Sequence, residues 1–114
     1  MNKELFIKYF KEKEKETFDI AESKGWGFEP TPEKLAMKIA LVHSELSEAL
    51  EALRIGNPPD DKLPDFSSLE VELADVIIRI MHISHKLNLR LAEAIISKDE
   101  YNLTREYKHG GKKF

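Results

Sequence analysis

Two stretches of this chain repeat apolar residues at the alternating four- and three-residue spacing that a helix turns into a single face. One runs Leu35, Ile39, Val42, Leu46, Ala49, Leu53, and the other Leu69, Leu73, Val76, Ile80, Ile83, Leu87. Such a pattern commits both stretches to helices that pack along one stripe. Beside each stripe sits a pair of acids three residues apart, Glu45-Leu-Ser-Glu48 and Glu72-Leu-Ala-Asp75. On a helix, residues three apart share a face, one turn above the other. In each pair the acids immediately precede seam residues (Leu46 and Ala49; Leu73 and Val76). Packing the two seams together therefore brings four carboxyl groups to one level at the edge of the core. Uncompensated, they are strongly unfavourable there, because desolvation and mutual repulsion both oppose the charged form. A hard divalent cation with oxygen ligands resolves that conflict while keeping the acids ionised.

The pairs also match one another. At an offset of 27 residues, Ser44-Glu-Leu-Ser-Glu-Ala-Leu50 aligns with Val71-Glu-Leu-Ala-Asp-Val-Ile77. Antiparallel packing of two equivalent helices sets these acidic steps face to face.

The rest of the chain supports a four-helix bundle, with no period-2 alternation to suggest strands. A first helix is expected over 3–23, with Leu5, Phe6, Tyr9, Phe10, Phe18 and Ala21 inward, stopping at Gly25-Trp26-Gly27. Thr31-Pro32-Glu33 reads as N-cap, first-turn proline and early acid, which opens a second helix running to about Ile55. Residues 56–66 hold one glycine, three prolines and three aspartates, so they form a loop. Ser67 and Glu70 have capping-box spacing, opening a third helix to about Leu87 with Asn88 as the joint. A fourth is expected from Leu91 to Arg105, followed by a tail over 106–114.

At 114 residues this makes one domain, 1–114, with its core helices over about 32–105. A formal charge of −3 provides no electrostatic footprint for nucleic acid. The absence of cysteine excludes disulfides and thiolate zinc sites. The opening MNKELFIKYFKEKEKE is too charged for a signal-peptide core, and no run approaches the roughly 18 apolar residues that span a bilayer. These features make a cytoplasmic enzyme or binding protein with no membrane partner the expectation.

An all-carboxylate set favours Mg²⁺ or Mn²⁺ over zinc. A di-iron centre would need two Glu-x-x-His steps. The chain has one, Glu106-Tyr-Lys-His109, abutting Gly110-Gly111, while His82 and His85 lie two turns or more beyond Asp75. His43 lies about 200° around the helix from Glu45, away from the acids. On the fourth helix the spacing continues through Leu91, Ile95, Lys98, Asn102 and Arg105, turning polar at Lys98. Either this polar run faces a ligand, with Arg105 forking onto a phosphate, or it is solvated and Ala92, Ile96 and Leu103 carry the contact. Lys38, two turns before Glu45, is a further phosphate candidate. Trp26, the single tryptophan, either plugs the bundle end or offers a stacking surface to a base.

Glu45-x-x-Glu48, then 23 residues, then Glu72-x-x-Asp75 resembles the signature of the all-α nucleoside triphosphate pyrophosphohydrolases, and most closely their MazG-like branch. The resemblance covers roughly 33–114, including Lys98-x-x-x-Asn102-x-x-Arg105 and the Tyr107-Lys-His-Gly-Gly-Lys-Lys-Phe114 ending. It implies hydrolysis of a nucleoside triphosphate between the α and β phosphorus atoms, house-cleaning of non-standard or surplus nucleotides, and assembly as a homodimer or homotetramer. It also implies Mg²⁺ held by Glu45, Glu48, Glu72 and Asp75, with nucleotide contacts from Lys98, Asn102 and Arg105. Glu48 is the expected general base. Two other functions share these features: a non-catalytic bundle binding nucleotide or metal, and a phosphoribosyl-ATP pyrophosphohydrolase.

Overall fold

Three of the four helices begin where a short polar side chain takes up one of the first free amides. The computed structural model describes residues 1–107. Lys108 to Phe114, with His109 of the Glu-x-x-His step and most of the family-like ending, lie outside the described residues. Helix α1 (Lys3–Ser23) is capped by Asn2, whose side chain accepts from the Leu5 amide at 3.0 Å. Helix α2 (Pro32–Arg54) starts on Thr31, which accepts from Lys34 N at 3.3 Å. Helix α3 (Ser68–Lys86) carries the full capping box: Ser67 N donates to Glu70 Oε1 at 3.0 Å, and Glu70 N donates to Ser67 Oγ at 3.2 Å. Helix α4 (Leu91–Leu103) follows Arg90 and has no side-chain cap. It ends short of the expected Arg105 because the Thr104 hydroxyl turns back onto the Tyr101 carbonyl at 2.7 Å.

One device ends α1, α2 and α3. A residue with positive φ (Gly25 at 86°, Gly56 at 93°, Asn88 at 51°) reverses the chain. The next amide then reaches back across the last turn: Trp26 N to Ala21 O at 3.0 Å, Asn57 N to Ala52 O at 2.7 Å, and Leu89 N to Ser84 O at 2.9 Å. The first of these reversals fixes the Trp26 backbone over the end of α1. The second places Asn57 so that its side chain accepts from Leu69 N at 2.8 Å, tying the 56–66 loop to the start of α3. Ser68 adds two bonds to the Pro58 carbonyl, from its amide and its hydroxyl, each 2.8 Å. This stapled loop turns α3 back along α2, the arrangement the matched acidic steps require.

Helix α3 is central, packing on α2 and on α1, while α4 rests on α1. Apart from one isolated bridge between Pro59 and Ser67, no strand occurs among the described residues. The fold is therefore an all-α bundle, and no described helix is long and apolar enough to cross a membrane. The core is thin. Ala49, Ala52, Val76, Met81 and Ala92 are the buried apolar residues, whereas Leu46 (45%), Leu53 (53%) and Leu73 (43%) of the two seams stay substantially exposed.

One expectation needs correcting, and one choice left open by the sequence is narrowed. On α1 the inward positions Leu5 and Tyr9 are exposed, and the buried residues are Glu14 and Thr17. Phe10, Glu14, Thr17 and Ala21 form a four-three-four stripe of their own, and Phe18 beside it keeps the expected inward position, its ring against His82 and His85 of α3. On α4 the contact runs through Ala92, with Leu103 exposed. Ion pairs from α1 hold it in place: Lys3 to Glu100, and Lys11 Nζ to Glu93 Oε2 at 3.1 Å.

Candidate metal centre and adjoining cavity

With α2 and α3 antiparallel, one carboxylate oxygen from each of Glu45, Glu72 and Asp75 lies within 4.8 Å of the others. All three residues are half-buried. Glu48 is not in this group. It lies one turn along α2 on an exposed face, and it acts on the cluster through charge. The expected quartet thus resolves into a triad with a fourth acid beside it.

The triad is electrostatically loaded. Glu72 is pushed above its ordinary value, first by desolvation, then by a hydrogen bond it shares with Glu45, then by repulsion from Asp75, Glu45 and Glu48. Asp75 is also raised, by desolvation first and the Glu45 charge second, with Asp60 of the loop adding to this and Arg79 opposing it. Two carboxyls sharing a hydrogen bond need a proton between them, which a divalent cation would replace.

Arg79 partly offsets this repulsion. Its Nε and Nη2 each lie 2.9 Å from Glu45 Oε1, in a pair whose side chains are 32% and 17% exposed. Sequence reasoning, which weighed anions against apolar seams, missed it. The available signal was its position four residues after Asp75, on the same face of α3.

A cavity of about 240 Å³ opens beside the triad, lined by Trp26, Lys38, Glu45, Asp75, Arg79 and His82 together with small and aliphatic side chains. Lys38 donates to the Trp26 carbonyl at 3.3 Å, and its Nζ lies 5.9 Å from the Trp26 ring centre and 5.1 Å from that of Phe28. His82 is buried between Phe18 and Phe28, with ring centroids 5.5 Å away in each case. Its Nε2 donates to Glu22 Oε1 at 3.2 Å. Gly27 makes this possible: a Cβ there would come 2.3 Å from Glu22 Oε2. The Glu22–His82 pair spans α1 and α3 and left no trace in helix periodicity.

The structure therefore gathers Trp26, Lys38, Glu45 and Asp75 around one cavity, with Glu72 in the adjoining triad. Lys98, Asn102 and Arg105 are not among the residues lining it. They are exposed, Lys98 and Asn102 on α4 and Arg105 just beyond its end; Lys98 Nζ sits 4.7 Å from the Tyr101 ring centre and Arg105 Cζ 6.0 Å from it. Chemically, an oxygen-only triad can hold a hard divalent cation, and the neighbouring cationic and aromatic side chains can receive an anionic ligand with a flat group. Comparison with known proteins supplies no relative: no family model matches the chain, and no curated protein or solved structure does either.

Proposed function

We propose that this protein is a Mg²⁺-dependent nucleoside triphosphate pyrophosphohydrolase of the MazG-like kind. The observation that carries this reading is the triad of Glu45, Glu72 and Asp75, two of whose members, Glu45 and Asp75, line a cavity that also presents Lys38, Arg79 and Trp26. A triphosphate will not approach three carboxylates without a cation between them, and when bound, Mg²⁺ (or Mn²⁺) supplies charge neutralisation and Lewis acidity towards the phosphate oxygens. The remaining work falls to side chains. Lys38 and Arg79 pair with phosphate oxygens, and the base lies against Trp26 with His82 in the wall. Glu48, on the exposed face beside the triad, takes a proton from the attacking water. The water oxygen bonds to the α-phosphorus, the bond from that phosphorus to the bridging oxygen breaks, and its electron pair departs with pyrophosphate. The other product is the nucleoside monophosphate. Positioning and charge stabilisation provide most of the rate.

Self-association belongs to the same proposal. The chain exposes 8817 Å², against about 6,400 Å² for a compact monomer of 13.2 kDa. Exposed apolar surface on a packed face is what an uncovered subunit interface leaves. Leu46, Leu50, Leu73 and Ile77 on α2 and α3 are the exposed apolar residues that such an interface would cover. In that assembly Lys98, Asn102 and Arg105 would reach phosphate from a second copy.

The test is incubation with a panel of NTPs and dNTPs plus Mg²⁺, followed by phosphorus NMR. Monophosphate and pyrophosphate should appear, with kcat falling about 10²- to 10⁴-fold in Glu48→Gln. Tight nucleotide binding without turnover would select the non-catalytic bundle, and turnover of phosphoribosyl-ATP alone the histidine-pathway enzyme.

A further inference from the structure

The cavity beside the triad runs along α3. Asp75, Arg79 and His82 in its wall follow a four-three spacing, so they share one face of that helix. Asp75 and His82 are therefore two turns apart, about 10.5 Å along the axis. The acids and Arg79 make one end of the cavity charged. At the other end the His82 imidazole stands between Phe18 and Phe28, and Trp26 lines the same space. His82 lies outside the motifs that carry the family resemblance, so its role follows from its surroundings alone.

The ring is held in one orientation. His82 is 6% exposed, it packs against both phenylalanines, and its Nε2 lies 3.2 Å from Glu22 Oε1. An ionised carboxylate only accepts, so Nε2 carries the proton, and in the neutral ring Nδ1 carries the lone pair. Nδ1 has no partner among the described residues, and it is not one of the enclosed polar atoms that lack one. It is therefore reachable, and the open space that His82 borders is this cavity. A buried side chain thus keeps a single acceptor for a ligand, two turns from the triad. Lys38 is the other polar group at this end. Its Nζ donates to the Trp26 carbonyl at 3.3 Å and offers N–H alone. Cytosine and uracil both have a carbonyl oxygen for such a donor, so Lys38 does not separate them. Trp26, 56% exposed, supplies a stacking face, which every base can use.

Resting on the nucleotide reading of this cavity, we propose that His82 selects the base. Its Nδ1 accepts a hydrogen bond from an exocyclic amine, so cytosine and adenine nucleotides are preferred over their keto counterparts, uracil and hypoxanthine. Glu22 is the positioning residue that fixes the tautomer. A keto oxygen in the place of the amine sets lone pair against lone pair and leaves both without a donor.

The experiment is calorimetric titration of the full chain, with Trp26 fluorescence read alongside, using the α,β-methylene analogues of CTP, UTP, ATP and ITP, which resist cleavage. It is run with Mg²⁺ at pH 8.5, where an ordinary imidazole is neutral. The cytidine analogue should bind about tenfold or more tightly than the uridine one, and the adenosine analogue likewise against inosine. His82→Phe keeps an aromatic ring between Phe18 and Phe28 but removes the acceptor, and should bring both ratios to about one. Glu22→Gln, whose carboxamide can donate to Nε2 as readily as accept from it, should lower both ratios with the imidazole still in place. Should His82→Phe fail to fold, Glu22→Gln alone decides. Equal affinities in the wild type, a preference for the keto member, ratios that survive the substitutions, or no saturable binding of any analogue would overturn the assignment. Turnover of CTP and UTP is followed separately. The binding preference without turnover would uphold the base assignment and remove the pyrophosphohydrolase reading, whereas turnover with equal affinities would do the reverse.

Discussion

Replacing Arg79 by methionine separates what the triad is from what holds it together without metal. The guanidinium makes two 2.9 Å contacts to Glu45 Oε1 in a partly buried setting, 32% and 17% exposed. Pairs at the surface contribute about 0–1 kcal/mol, and breaking fully buried ones costs about 3–5 kcal/mol. With this intermediate exposure we expect Arg79→Met to destabilise the metal-free protein by about 1–2 kcal/mol. For a chain of this length that lowers Tm by about 4–8 °C. The same change removes a positive charge competing for Glu45, so the cation should bind the variant several-fold more tightly. At Mg²⁺ ten times above Kd, binding restores about 1.4 kcal/mol, which would recover most of the loss. Differential scanning fluorimetry across a Mg²⁺ series, with calorimetric titration of Mn²⁺, reads both quantities. Equal destabilisation with and without the cation, together with unchanged metal affinity, would refute the reasoning: Arg79 would then be packing, not charge compensation.

Three further outcomes follow from the geometry. Glu72 and Asp75 are raised above their ordinary values of 4.5 and 3.8, so the folded state holds their protons more tightly than the unfolded chain. That contribution is present below the ordinary values and is lost as pH rises through the raised ones, so the stabilisation conferred by Mg²⁺ should grow from pH 4 to 7; a Tm increment independent of pH would count against it. Gly27→Ala should push the Glu22 carboxylate off His82 for a loss of about 1 kcal/mol, measured by urea unfolding, and should cost nothing further in a Glu22→Ala background. Sedimentation should find the protein self-associated, and Ile77→Lys, placing a charge on an exposed apolar position, should shift it to monomer; a monomeric wild type would remove the interface from the account.

What the sequence made legible was local. Thr31, Ser67, Gly56 and Asn88 act through backbone groups a few residues away, so cap and turn chemistry placed the helix ends within a residue or two. The acid triad was legible because three-residue spacing on two matched helices leaves little freedom once they pack antiparallel. Long-range pairings were not. Arg79 meets Glu45 from 34 residues away and His82 meets Glu22 from 60, and neither contact has a periodic signature. Glu14 hides within the charged run Lys11-Glu-Lys-Glu-Lys-Glu16, although its four-three spacing with Phe10 and Thr17 marks the stripe it occupies. On α4 two stripes competed, one polar through Lys98 and one small and apolar through Ala92. Close packing on α1 favoured alanine, which turned Lys98, Asn102 and Arg105 to the outside.

The central claim is that Glu45, Glu72 and Asp75 together bind one divalent cation, and a crystal grown with Mn²⁺ tests it most directly. An anomalous difference map collected at the manganese edge should show a peak bonded to carboxylate oxygens of all three, with Arg79 drawn back from Glu45. A manganese-loaded crystal whose peaks lie elsewhere, with the Arg79–Glu45 pair intact, would contradict it.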